Sequence, residues 1–351
     1  MNVDYIIAGQ GISGTFLSYY LLQAGKKVLV IDEFNPVSAS RIASGVVNPV
    51  TGRRVVTTWM IDELLPFAVN AYREIGESLS CNLVTEIDMV NFHTSQQMQS
   101  AWHSRIDEGC EYIFDIKDRQ TYDGFFAMPY GAGITHPCLL VNLDLLLSKW
   151  RQKLIQQECL SEVRFNIEDV TFSNEKVLYK SISADKLILC NGTGGFDNMY
   201  FSRLPFTFNK GQALIIEIKG LPASAIYKYG ISLVPLCKDI FWAGSSFEWE
   251  YDNEEPTATF RRDVENTLNK WLKLPYEVLE HKASIRPASI ERRPFVGLHP
   301  VFPYIGILNG MGTKGCSLAP YFAAQFAANL VTGSKIHPEA DIARFRKLIT
   351  I

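Results

Sequence analysis

Tyr5-Ile-Ile-Ala-Gly9-Gln-Gly11-Ile12-Ser13-Gly14, followed by Lys27-Val-Leu-Val-Ile-Asp32, decides the fold of this chain. An apolar run ends in Gly-x-Gly-x-x-Gly, a helix-like stretch with Leu17, Leu21 and Leu22 follows, and a second apolar run ends in an acid. That order reads strand, turn, helix, strand, and it is the fingerprint of a dinucleotide site. Gly9 permits the tight turn, Gly11 lets the backbone approach a pyrophosphate, and Gly14 lets the helix pack closely on the sheet. The helix start, Ile12 and Ser13 included, offers unpaired N–H groups and a positive dipole end to the diphosphate. Asp32 stands where a carboxylate takes the ribose hydroxyls, with Glu33 beside it to share or replace that role.

Outward from this opening, the rest of the chain alternates in kind. Residues 35–58 are loop-like and 59–80 helical. Residues 81–134 mix short strands with a helix-like stretch near 95–107. Leu139, Leu143, Leu146, Leu147, Trp150 and Leu154 predict an amphipathic helix over 139–157. Residues 162–190 alternate strand and turn and contribute Val170 to the candidate cofactor contacts. They end in a buried strand, Asp185 to Cys190, that runs into Asn191-Gly192-Thr-Gly194. Such a strand entering a glycine turn belongs at the edge of a nucleotide-binding sheet. Residues 211–249 are strand-rich, 256–273 helical, and 304–308 a last strand.

That strand leads into a second glycine loop, Asn309-Gly310-Met311-Gly312-Thr313-Lys314-Gly315, and then a helix over 318–331. Backbone N–H groups and a helix dipole point there at a phosphate or at the electron-rich edge of a reduced flavin, with Lys314 as a fixed positive charge. The pattern predicts an α/β chain, α+β overall. A Rossmann-like FAD/NAD(P)-binding domain (1–80, 135–209 and 285–351) is joined to a second, antiparallel-sheet substrate domain (81–134 and 210–284).

Composition narrows the partners. The 351 residues carry a formal net charge of -3, which gives no general pull toward nucleic acid. Seven cysteines without a Cys-x-x-Cys pair argue against a disulfide framework and against a metal site. They read as small buried hydrophobes in a reducing, cytoplasmic setting, Cys316 among them. No signal peptide is expected, because the first strand starts almost at Met1, and no integral membrane segment, because Gln325 and Asn329 interrupt the Ala/Phe-rich run at 318–331.

Four segments together resemble the flavin-dependent D-amino acid oxidase superfamily, which includes glycine oxidase, sarcosine oxidase and the oxidase domain of a bifunctional tRNA wobble-uridine modification protein. They are Gly9–Gly14 with its terminal acid, Ala39-Ser40-Arg41-Ile-Ala-Ser44-Gly45-Val46-Val47, Ser284-Ile-Arg286-Pro287 with Arg293-Pro294-Phe-Val-Gly297, and the Gly310–Gly315 loop with Leu-Ala-Pro320. The resemblance spans nearly the whole chain, Lys210-Gly211-Gln212 and Val234-Pro235 included.

The resemblance implies FAD as cofactor, wrapped by Ser40, Arg41, Ser44, Gly45 and Val46. It implies hydride transfer from the α-carbon of an amine or amino acid to flavin N5, with oxygen, a quinone or another carrier reoxidising the flavin. It also implies that Arg286 pairs with the substrate carboxylate, for which its planar fork is suited, and that Lys314 sits beside the ring. Relatives that oxidise free amino acids carry a Tyr near the position of Ser232, for which Tyr227 or Tyr229 is the expected substitute. His136 reads as structural. Thr313-Lys314 is nearer to the tRNA-modifying relative, so oxidation of a carboxymethylaminomethyl group on tRNA stays open. So do a non-catalytic flavoprotein and, on the first glycine motif alone, an NAD-dependent dehydrogenase.

Overall fold

The computed structural model describes residues 1–52, 54–173 and 175–349. Two sheets organise them. In the first, the strands Asn2–Ala8, Val28–Ile31, Leu160–Ser161, Ile182–Leu189 and Ile305–Asn309 run parallel, with Asn2–Ala8 between Val28–Ile31 and Ile182–Leu189. From Tyr5 onward the side chains alternate between two cores. Tyr5 and Ile7 face helices Ile12–Gln23, Ile61–Ser78, Leu143–Gln156 and Gly315–Thr332, whereas Val3, Ile6 and Ala8 face a second core with Leu187, Ile305 and Ile307. The first sheet is thus assembled from both ends of the sequence.

The second sheet has nine strands, mostly antiparallel. Its back is an aromatic core, where Phe126, Tyr227 and Trp271 are buried and Phe126 stacks on Trp271 at 4.7 Å. Each such ring contributes about 1.5–3 kcal/mol of burial. Helix Ala258–Trp271, capped by Thr257 accepting from the Phe260 N–H, seals that side. The front, with Met89, Cys138, Ile226, Val234 and Trp242, faces the dinucleotide half. Trp242 Nε1 donates across the junction to the Ile42 carbonyl at 2.9 Å.

Some expected boundaries move. The amphipathic helix begins at Leu143 rather than 139, because the Asn142 side chain caps it by accepting from the Leu145 N–H at 3.0 Å. Leu139 to Val141 instead finish the strand Ala132–Val141, paired with Val46 and Val47. The last helix starts at Gly315, three residues early, and ends on Gly333 at φ 74°. Strands Ala132–Val141 and Glu277–Ser289 run straight through the expected domain boundaries at 134/135 and 284/285, so Arg286 belongs to the nine-stranded sheet. Among the described residues no helix is long and apolar enough to cross a membrane.

Candidate active site

The first strand turns at Gly9, whose φ of +96° and lack of Cβ are both needed, since a Cβ there would fall 2.7 Å from Asn191 Cα. Gly14 allows the helix to sit on that turn: a Cβ on it would lie 1.9 Å from the Gly9 carbonyl oxygen. Ser40 rests against Gly11, and its Oγ accepts from the Ile12 N–H at 3.1 Å. Ser13 is buried behind. Gly45, at φ +79°, passes so near Val141 that a Cβ would meet its carbonyl oxygen at 2.0 Å, and this fixes Ser44 and Val46 beside it. The 39–47 segment therefore folds over the glycine turn.

Asp32 is more committed than the sequence suggests. Its Oδ2 accepts from the Gln10 N–H at 2.8 Å; its Oδ1 accepts from the Phe34 N–H at 2.9 Å and from Arg151 Nη1 at 2.7 Å. Of about four lone-pair sites one is left, on Oδ2. Arg151, buried and also bonded to Glu162, is a member of this site that sequence reading missed. No motif marks it, since it comes from a helix more than 100 residues away. Arg41 lies over the Phe34 ring at 4.5 Å and reaches Asp144 at 3.7 Å. Glu33 is exposed.

The three glycine turns converge. Asn309 Nδ2 donates to the Gly192 carbonyl at 2.9 Å, and its Oδ1 accepts from the Gly310 N–H. Gly310 and Gly312 take φ +76° and +54°, and a Cβ on Gly315 would touch Ile12 at 3.5 Å. Met311 is buried and bridges to Ala288, while Thr313 is exposed. Asn191 Oδ1, at the seam, is buried without a donor. Cradles that a side chain would fill, a helix start and one orphaned acceptor suit a dinucleotide. Val170 does not join them. It pairs with Tyr179, which pairs with Ile182 at the opening end of its strand, roughly 20 Å along the sheet from the turn.

Facing the cradle, Arg286 Nη1 donates to Asn209 Oδ1 at 2.9 Å and to the Ser246 carbonyl at 3.1 Å. Burial pushes its pKa down to about 10, with Glu248 opposing, so it stays cationic near neutrality. Lys314 Nζ donates to Asn48 Oδ1 at 3.0 Å and Thr58 Oγ1 at 3.3 Å. Burial and the charge of Lys228 push its pKa down to about 8.

The expected substitute for a tyrosine fails: Tyr227 and Tyr229 point into the aromatic core behind the sheet, because strand alternation turns them away. His136 is exposed and held by Asp88 at 2.8 Å. Cys316 is a buried free thiol, pushed up to about 12 by burial.

The sequence matches the profile of the family described as DAO, FAD dependent oxidoreductase, over residues 4–329. The uncharacterized oxidoreductase YurR of Bacillus subtilis (strain 168) is 22% identical, over 97% of this chain and 98% of its own. Glycine oxidase from Bacillus cereus ATCC 14579 superposes with a TM-score of 0.80 at 16% identity, covering 96% of this chain and 99% of its own. Iminodiacetate oxidase from Chelativorans sp. BNC1 gives 0.75 at 18% identity, covering 95% and 96%.

Proposed function

This chain belongs to the DAO family of FAD-dependent oxidoreductases, and from that premise we propose that it oxidises the C–N bond of a small amine bearing a carboxylate. When bound, FAD supplies the two-electron acceptor that no side chain provides. Gly9–Gly14, Asp32, the 39–47 segment, Asn191, Gly192 and Gly310–Gly315 would hold it. The observation that carries the substrate reading is Arg286. Its guanidinium faces the cleft with neutral partners only, Asn209 and the Ser246 carbonyl, and no carboxylate lies within ion-pair distance among the described residues. A partly desolvated guanidinium with donors to spare is suited to a substrate carboxylate. Lys314 adds a second cation and holds a proton that it can release near pH 8.

The rim favours a small molecule over tRNA. Glu250, Asp252, Glu254 and Glu255 are exposed on the loop that follows the Ser246 contact, where a phosphate backbone would meet like charge.

The test is visible absorption of the FAD-loaded protein under anaerobic titration with glycine, sarcosine and D-amino acids. Bleaching by one of them, weakened more than tenfold in Arg286→Ala, supports the reading. Reoxidation on admitting air, or only on adding a quinone, identifies the acceptor class. A flavin that no amino-carboxylate bleaches overturns the reading.

A further inference from the structure

The sheet face that carries Arg286 presents another cation. Lys228 has its Cα in register with Ser232 on one side and Asn91 on the other. Tyr227 and Tyr229 fill the aromatic core behind, so alternation sends Lys228, like Ile226, to the front. It is half-buried, and among the described residues it makes no hydrogen bond and no ion pair. Lys314 comes from the opposite wall with two neutral partners. The two lysines are near enough that the charge of Lys228 weakens proton binding at Lys314, and the Cys138 thiol feels both. Asp88, which also faces Cys138, is held by His136.

Two ammonium groups and a guanidinium between the two sheets, with no carboxylate within ion-pair distance of any of them among the described residues, is a costly arrangement unless a ligand brings the anions. Lys228 and Arg286 stand on strands four spacings apart in the sheet order, roughly 19 Å of backbone before curvature. They therefore address different ends of a bound molecule.

We propose that the substrate is an amine carrying two acid groups: Arg286 holds the carboxylate beside the reacting carbon, and Lys228 with Lys314 holds a second, remote one. The class is an N-carboxyalkyl amino acid or an acidic amino acid of similar reach. The assignment rests on the reading of Arg286 given above, and Lys228 is its specificity-determining residue.

The experiment measures dissociation constants of FAD-loaded protein for three acids that cannot be oxidised at a C–N bond: butyrate, glutarate and adipate. A dicarboxylate is expected to bind at least about tenfold tighter than butyrate. Lys228→Met brings the two within about threefold, and Lys228→Arg restores most of the preference. A cooperative thermal transition in each variant shows that it is folded. Equal affinity for one and two carboxylates in the wild type, or an undiminished preference in Lys228→Met, overturns the proposal. Butyrate binding that depends on Arg286, without any dicarboxylate gain, removes the second anchor alone. Absence of binding by all three acids, unchanged in Arg286→Ala, removes both readings.

Discussion

The guanidinium of Arg286 lies where a side chain on Gly211 would stand: a Cβ built on Gly211 falls 1.8 Å from Nη2 and 1.9 Å from Cζ. The candidate carboxylate anchor is thus laid flat on bare backbone, and glycine at 211 sets where its charge points.

Gly211→Ala consequently tests the anchor without removing it. The atoms displaced are the end of a flexible side chain, so the fold should lose about 1–3 kcal/mol and still form. Affinity for a carboxylate should fall about tenfold or more, read as a rise in KM or in the inhibition constant for butyrate. Unchanged affinity would remove Arg286 from substrate binding.

Gly14→Ala meets a harder wall. The new methyl would sit 1.9 Å from the Gly9 carbonyl oxygen, which is backbone and cannot swing aside. The variant is expected to lose about 3 kcal/mol or more of stability. It should purify without its yellow colour, checked by the ratio of absorbance at the flavin band to that of protein.

Asp32→Ala removes one acceptor from three donors. The Gln10 and Phe34 N–H groups lose their partner, and Arg151 is left with Glu162, the Asp32 carbonyl and Gln10 Oε1 at 3.5 Å. Because Glu162 still balances the Arg151 charge, the expected cost is that of the orphaned donors, about 1–3 kcal/mol. Chemical denaturation should show that loss in protein stripped of cofactor, which separates it from any effect on FAD affinity.

Lys314 predicts a pH dependence. Folding lowers its pKa from 10.5 to about 8, so between those values the unfolded chain binds more protons than the folded one. Its contribution to stability therefore rises with pH across that window. Relative to Lys314→Met, the wild type should gain in melting temperature as pH climbs from 8 toward 10. Affinity for dicarboxylates should move the opposite way, weakening as the ammonium deprotonates above about pH 8, and this inflection should vanish in Lys314→Met.

Much of the dinucleotide half was legible because its signals are local. Glycines at 9, 11 and 14, the apolar strand and the acid at 32 lie within one β-α-β unit, where Gly9 needs its φ of +96° and Gly14 has no room for a side chain. The substrate half was less legible because its geometry is set across strands. Tyr227 and Lys228 are neighbours in sequence, yet the pleat sends one into the rear core and the other into the cleft. A position near Ser232 says nothing of this without the register. Arg151 was invisible for a similar reason, being brought to Asp32 by helix packing alone. The helix start at 143 was misplaced because Leu139 and Leu140 suit a strand as well as a helix, and the choice rests on one cap, Asn142.

Strand Ile182–Leu189 needs Ile305–Asn309 as its parallel neighbour, and the intervening stretch builds the other sheet. On a ribosome synthesising roughly 5–20 residues per second, the N-terminal glycine turn emerges long before the C-terminal loop that closes over it. During that interval the nascent chain lacks the strand and the glycine loop that complete the first sheet. With both glycine loops holding the cofactor as proposed, loading is expected only once the C-terminal loop is made, and a chain cut short before residue 305 is expected to purify without flavin and to be protease-sensitive.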